Sequence, residues 1–363
     1  MKTLKIKGIT LNTPIIQGGM GVGVSLYPLA KAVAKEGGLG VISSACLDRI
    51  VSKRIGKRVN IYEAVLNEVS EAKKEGGFVG INIMVALMRD YKDSVIAAID
   101  AKTDAIISGA GLPLALPSIY KPGDTALIPI VSSARALDII CKRWQKAGYR
   151  PDAVVLEGPL AGGHLGFSVE QIDNQDYSLE KLLPPVKELA MKNGDFPVIV
   201  AGGIYSNSDI KKFLKMGADG VQMGTRFLAT YESSADELYK QAVLKATKND
   251  ILVAVKPGSP CGLPFRVLKD SPMFVSAQKA LRKPKCNKGY VLTKDEKGNY
   301  TVCPAKVDNV NYFCICNGLL SSAGYNPTEE EPLYTVGTNA YRIDKILSVK
   351  ELMDELCHPN QPD

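Results

Sequence analysis

Eight short apolar runs alternate with stretches of helical period along the first two thirds of the chain, and each run stops on small or polar residues. The runs are Pro14–Gln17, Gly40–Ser43, Gly77–Ile83, Ala105–Ser108, Leu127–Val131, Ala153–Glu157, Val198–Ala201 and Gly220–Gln222. Apolar residues fill them almost continuously rather than at every second position. That pattern belongs to strands buried on both faces, as in parallel sheets. Helical patterns lie near Tyr27–Glu36, Ile61–Lys74, Tyr91–Ala101, Ala134–Lys146, Leu179–Met191, Ser206–Met216 and Ala235–Lys245. Eight strands, each followed by a helix or loop, predict an α/β chain of (β/α)8 type, a TIM barrel spanning residues 1–250, ahead of an open doubly wound sheet.

Beyond residue 250 the character changes. Lys256–Pro264 is rich in Pro and Gly, and Lys283–Tyr300 is basic and turn-rich. Asp295–Tyr300 reads as a hairpin tip between Gly289–Thr293 and Tyr300–Val302. Short helices are expected over Cys316–Ser322 and Val349–Leu356. Residues 251–363 are therefore expected to form a small appended α+β domain over the barrel mouth, with its C-terminal helices packing back on the barrel.

The formal net charge is +7, but Lys and Arg are interspersed with Asp and Glu. No basic stripe is interleaved with aromatics, which argues against a nucleic-acid partner. A mild basic excess suits small anionic ligands equally well. No run reaches the ~18 apolar residues of a membrane span, and Met1–Lys7 lacks the apolar core of a signal peptide. A cytoplasmic chain is expected, so its eight cysteines are read as thiols rather than structural disulfides. Four of them, Cys286, Cys303, Cys314 and Cys316, cluster in sequence, but Cys-x-Cys is too tight for a zinc pair. No metal site is expected. Cys46 and Cys261 fall near rim loops, with nothing adjacent to activate a thiolate.

The strand ends carry the chemistry. After strands seven and eight come Ala201-Gly202-Gly203-Ile204 and Gln222-Met223-Gly224-Thr225. In barrels these loops hold phosphate through backbone N–H groups, and glycine lets the anion approach. Gly18, Gly19 and Met20 follow the first strand and would face a planar ring. Asn82, ending the third, offers a donor and an acceptor to a ring edge. The sixth strand runs from Glu157 into Gly162-Gly163-His164. The chain has two histidines, and the other, His358, lies in a polar tail. Imidazole acid–base chemistry near neutral pH therefore falls to His164.

Together these motifs resemble the FMN-dependent nitronate monooxygenases, formerly called 2-nitropropane dioxygenases, a family that includes flavin enoyl-acyl-carrier-protein reductases and some NADH:quinone reductases. The resemblance runs from Thr13-Pro14-Ile15-Ile16-Gln17-Gly18-Gly19-Met20 to Arg226-Phe227 and is most specific at Ala161-Gly162-Gly163-His164, Ala201–Ile204 and Gln222–Phe227. It implies FMN at the C-terminal rim. Gly202, Gly203, Gly224 and Thr225 would hold its phosphate, with Ala201, Gln222 and Met223 beside it. Gly18, Gly19 and Met20 would line the ring, and Asn82 would bind near the ring or ribityl chain. Glu157, Gly162 and Gly163 would border the cofactor, with His164 as the catalytic residue. It further implies a small-molecule substrate (a nitronate, or an enoyl thioester or quinone) with O2 or NAD(P)H as co-reactant, and is compatible with a homodimer. One departure is visible: many family members carry Gln, often in contact with the flavin, where this chain has Glu157, and an acidic residue where it has Leu160.

Overall fold

A computed structural model describes residues 2–281, 302–308, 310–325 and 330–358. Cys286 and the expected hairpin tip of Asp295–Tyr300 lie outside these residues. Eight parallel strands close into a barrel: Ile15–Gln17, Leu39–Ser43, Phe78–Met84, Ala105–Gly109, Ala126–Val131, Val154–Glu157, Val198–Ala201 and Gly220–Met223. Each pairs with its sequence neighbour, and the eighth closes on the first through Val221↔Ile15 and Met223↔Gln17. The chain is thus a (β/α)8 TIM barrel, as the alternation predicts.

The strands are apolar on both faces because each face meets a different core. One side of the wall, including Ile16, Val41, Ile107, Ile128, Val155, Ile199 and Ala201, fills the barrel interior. The other, including Ile15, Ile42, Ile106, Leu127, Leu156 and Val200, packs under the helices. This is the period-2 alternation of a strand expressed as two cores. An N-terminal hairpin, Leu4–Ile6 with Ile9–Leu11, contributes all four of its buried residues to the interior core. The opposite, C-terminal end of the barrel is left for the site.

The expected helices are present within a residue or two, for example Ile61–Lys73, Ala134–Gln145 and Asn207–Lys215. The last starts on a capping box between Ser206 and Asp209 and buries Ile210 and Phe213, the sequence signature of an amphipathic helix start. A helix over Leu47–Ile55 was not legible. It starts on Cys46, which is left-handed and supplies no cap hydrogen bond.

After residue 250 the described residues include the strands Ile251–Ala254 and Phe265–Leu268 and the helices Pro272–Gln278, Ile315–Ser322 and Val349–Cys357. Buried Met273, Phe313, Cys314, Leu320 and Leu352 join the same core that lies under the barrel helices.

Candidate active site

The strand Phe265–Leu268 pairs antiparallel on one side with Ile251–Ala254 and on the other with Gly163–His164, in the register Phe265↔His164 and Arg266↔Gly163. The histidine turn after the sixth barrel strand is therefore held as an edge of a three-stranded sheet. Arg266 locks it further. Its buried guanidinium donates to the carbonyl oxygens of Pro159, at 2.8 Å, and Ala161.

His164 sits edge-on to Phe265, with ring centroids 4.8 Å apart. Its Nε2 is 2.9 Å from Ser259 Oγ. That oxygen also accepts the Cys261 N–H at 3.1 Å, so one hydroxyl ties the imidazole to the Lys256–Pro264 stretch. Burial holds the imidazole pKa down at about 4, and His164 is neutral across the physiological range. An imidazole disfavoured as a cation contributes stability that is full above its unfolded pKa near 6.5 and is lost as pH falls through about 4.

The turn after the first strand is built by buried Gln17, whose Oε1 accepts the Val41 N–H at 2.9 Å and whose Nε2 donates to Ser25 Oγ at 2.9 Å. Ser25 Oγ in turn accepts the Met20 N–H at 2.9 Å. A Cβ on Gly19 would lie 2.4 Å from Asn82 Cβ. Only glycine there lets the Asn82 amide stand beside the turn, so two residues singled out from different strands depend on each other.

On the far side, Gly202 has φ +95°, and a Cβ there would lie 2.8 Å from Gly158 O. Glycine is required both by conformation and by the close approach of the sixth-strand loop. The segment Thr335–Asn339 straps these loops. Gly337 N–H donates to Thr225 Oγ1 at 2.9 Å, Thr338 N–H to Leu160 O at 3.1 Å, and Asn339 Nδ2 to Gly203 O at 2.7 Å.

Gly18, Gly19, Met20, Asn82, Glu157, Gly162, Gly163, His164, Ala201, Gly202, Gly203, Gln222, Met223, Gly224 and Thr225 all line one cavity of about 670 Å³ at the C-terminal mouth of the barrel. Met223 differs from the rest: its side chain belongs to the core outside the barrel wall, so it faces the cavity through its backbone. Cys46 and Cys261 line the same space. Burial pushes the Cys261 thiol up to about 11, which leaves it protonated and a poor nucleophile. Cys303, Cys314 and Cys316 are buried, and no group of three His, Cys, Asp or Glu among the described residues is placed to hold a metal ion.

Ser259, Phe265, Arg266 and the 335–339 strap were missed by sequence reasoning. Ser259 lies 95 residues from His164 and Gly337 lies 112 from Thr225. No local pattern announces such pairings. The only available signal was the polar residue inside the Pro/Gly-rich Lys256–Pro264 stretch.

A TIM barrel with a glycine-edged, histidine-bearing cavity at its C-terminal mouth is an enzyme architecture. The nitronate monooxygenase family model matches residues 2–359, and the chain belongs to that family. A nitronate monooxygenase of Pseudomonas aeruginosa is 28% identical over 316 residues, covering 75% of this chain and 86% of its own. Among solved structures, FabK from Thermotoga maritima has TM-score 0.68 at 27% identity, covering 95% of this chain and 92% of that one. A nitroalkane oxidase from Streptomyces ansochromogenes has TM-score 0.65 at 20% identity over 96% and 97% of the two chains, a likeness of fold. The family makes this protein an oxidoreductase. No helix among the described residues is long and apolar enough to cross a membrane.

Proposed function

We propose that the protein is an FMN-dependent nitronate monooxygenase that oxidises alkyl nitronates with O2. The observation that carries this reading is the meeting, in one cavity, of the glycine loops after strands seven and eight with His164 from strand six. The residues fit a phosphorylated planar cofactor. Gly202, Gly203, Gly224 and Thr225 would hold the phosphate, Gly18, Gly19 and Met20 the ring face, and Asn82 a ring edge or the ribityl chain. Gln222 Oε1 is buried without a hydrogen-bond partner. A buried acceptor left alone costs about 1–3 kcal/mol, and a ring N–H or ribityl hydroxyl would satisfy it.

FMN supplies the electron transfer that side chains cannot perform. The protein's part is to position and to manage protons. Neutral His164, with Nε2 bonded to Ser259 Oγ, has Nδ1 as its remaining ring nitrogen. In the tautomer with hydrogen on Nδ1, that nitrogen would donate to the oxygen of an anionic nitronate without requiring an imidazolium. Ser259 and Phe265 hold the ring in place. Met84, Leu87, Leu112, Leu263, Ile315 and Leu319 give the rest of the cavity an apolar lining that suits an alkyl chain and excludes water.

A second reading shares the cofactor. The apolar lining and the likeness to FabK favour NAD(P)H-dependent reduction of an enoyl thioester or quinone. Oxygen uptake separates the two. FMN-loaded protein mixed with propyl nitronate is expected to consume oxygen without NAD(P)H. No uptake, with rapid bleaching of the flavin by NADH or NADPH instead, would transfer the protein to the reductase reading.

A further inference from the structure

We propose that the part of the cavity beside strands four to six is the substrate pocket, that the Ser132 hydroxyl binds the polar head of the substrate there together with His164, and that the pocket takes an uncharged, apolar tail. The inference rests on the nitronate reading above and names the kind of nitronate that this chain admits.

The barrel divides the cavity. The loops expected to hold the phosphate follow strands seven and eight, and the turn expected to face the ring follows strand one. The ends of strands four, five and six remain for the substrate. Ser132 is the first residue past the fifth strand, Ala126–Val131. Ile128 and Ile130 of that strand belong to the barrel-interior core or pack against it. The period of two puts Ser132 on the same side, one step nearer the mouth, and it lines the cavity. A Cβ on Gly166 would lie 3.3 Å from Ser132 Oγ, so the hydroxyl adjoins the turn that carries His164. The neighbouring serine has a structural duty: Ser133 Oγ accepts the Ala136 N–H at 3.2 Å at the start of the helix Ala134–Gln145. Ser132 has no such duty. It is half-buried, and its hydroxyl makes no hydrogen bond to a described residue.

Around this hydroxyl the lining is apolar. Leu87 and Leu112 come from the loops after strands three and four, and Ile130 from strand five. Leu263, Ile315 and Leu319 come from the region beyond the barrel. That region is tied to the histidine turn, because Leu165 N–H donates to Pro264 O at 2.9 Å. Gly258 in turn bridges to Tyr312, just ahead of the helix Ile315–Ser322. Among the described residues lining the whole cavity, the Asp, Glu, Lys and Arg side chains are Glu157 and Arg226 alone. Arg226 follows the eighth strand, on the phosphate side, and bonds Glu355 at 2.5 Å.

A nitronate carries its charge on the two oxygens of one end. A serine hydroxyl beside the imidazole gives that head a second hydrogen-bonding partner, and a donor to an anion makes one of the stronger hydrogen bonds. Beyond the head, every methylene of an alkyl tail that enters the apolar pocket gains from leaving water. An ionised group at the far end of the tail would give up its hydration and meet no cation.

The test uses FMN-loaded protein and oxygen uptake. The substrates are nitronates prepared from 1-nitropropane, 1-nitrobutane, 1-nitropentane and 1-nitrohexane, and from 4-nitrobutanoate, which is close to 1-nitropentane in length but ends in a carboxylate. For the wild type, kcat/KM is expected to rise about threefold or more with each methylene. The value for 4-nitrobutanoate is expected to lie at least about tenfold below that for 1-nitropentane. Ser132→Ala is expected to lower kcat/KM about tenfold or more at every chain length, mainly by raising KM, with the rise along the series and the flavin content unchanged. Wild-type values that ignore tail length, or a carboxylate tail accepted as well as the alkyl one, would overturn the pocket while leaving the nitronate reading in place. An unchanged kcat/KM in Ser132→Ala, or a loss that grows with tail length, would overturn the role of its hydroxyl. No oxygen uptake with any nitronate would remove the nitronate reading and this inference with it.

Discussion

Replacing His164 with Ala is expected to lower kcat/KM for a nitronate by about 10²–10⁴-fold, the usual contribution of a positioned acid–base side chain, while the protein keeps its flavin. The two effects separate because His164 is fixed by Ser259 and by the Phe265 strand, whereas the glycine loops expected to hold the phosphate lie on strands seven and eight. His164 should also contribute no limb near 6.5 to the pH profile, because its imidazole stays neutral down to about 4. Steady-state kinetics beside a flavin-content assay measures both. Full activity in His164→Ala would remove the residue from the mechanism. Loss of the flavin together with the activity would make it a cofactor ligand instead.

Gly202→Ala should have the opposite signature. The residue sits at φ +95°, and the new methyl would lie 2.8 Å from Gly158 O. A backbone conformation of this kind costs an L-residue about 1–2 kcal/mol, and the methyl would push against Gly158 and Ala161, displacing the loop expected to hold the phosphate. The variant is expected to fold, judged by circular dichroism, with FMN affinity lowered by at least about tenfold. An unchanged Kd for FMN would place the phosphate elsewhere on the rim.

Much of this was legible in the sequence because barrel strands have no polar face. Runs such as Val198–Ala201 are buried throughout, so they read as apolar blocks, and their small-residue ends mark the rim. All the singled-out residues line one cavity because the barrel brings every strand end to the same mouth. The missing parts are the long-range ones. Phe265–Leu268 pairs with a two-residue strand about a hundred positions earlier, and its register depends on the assembled barrel rather than on any local period. The Thr335–Asn339 strap acts largely through backbone groups, which side-chain identity does not reveal. The Leu47–Ile55 helix escaped because its start carries no capping side chain. Glu157 stood out only as an exception to a pattern.

The claim on which the rest depends is that FMN occupies the cavity at the mouth of this barrel. Reconstitution of the purified chain with FMN, followed by gel filtration and release of the bound flavin, tests it directly. The expected result is about one FMN retained per chain, with riboflavin held more weakly because the glycine loops grip the phosphate. A folded chain that retains no flavin after reconstitution would contradict the account.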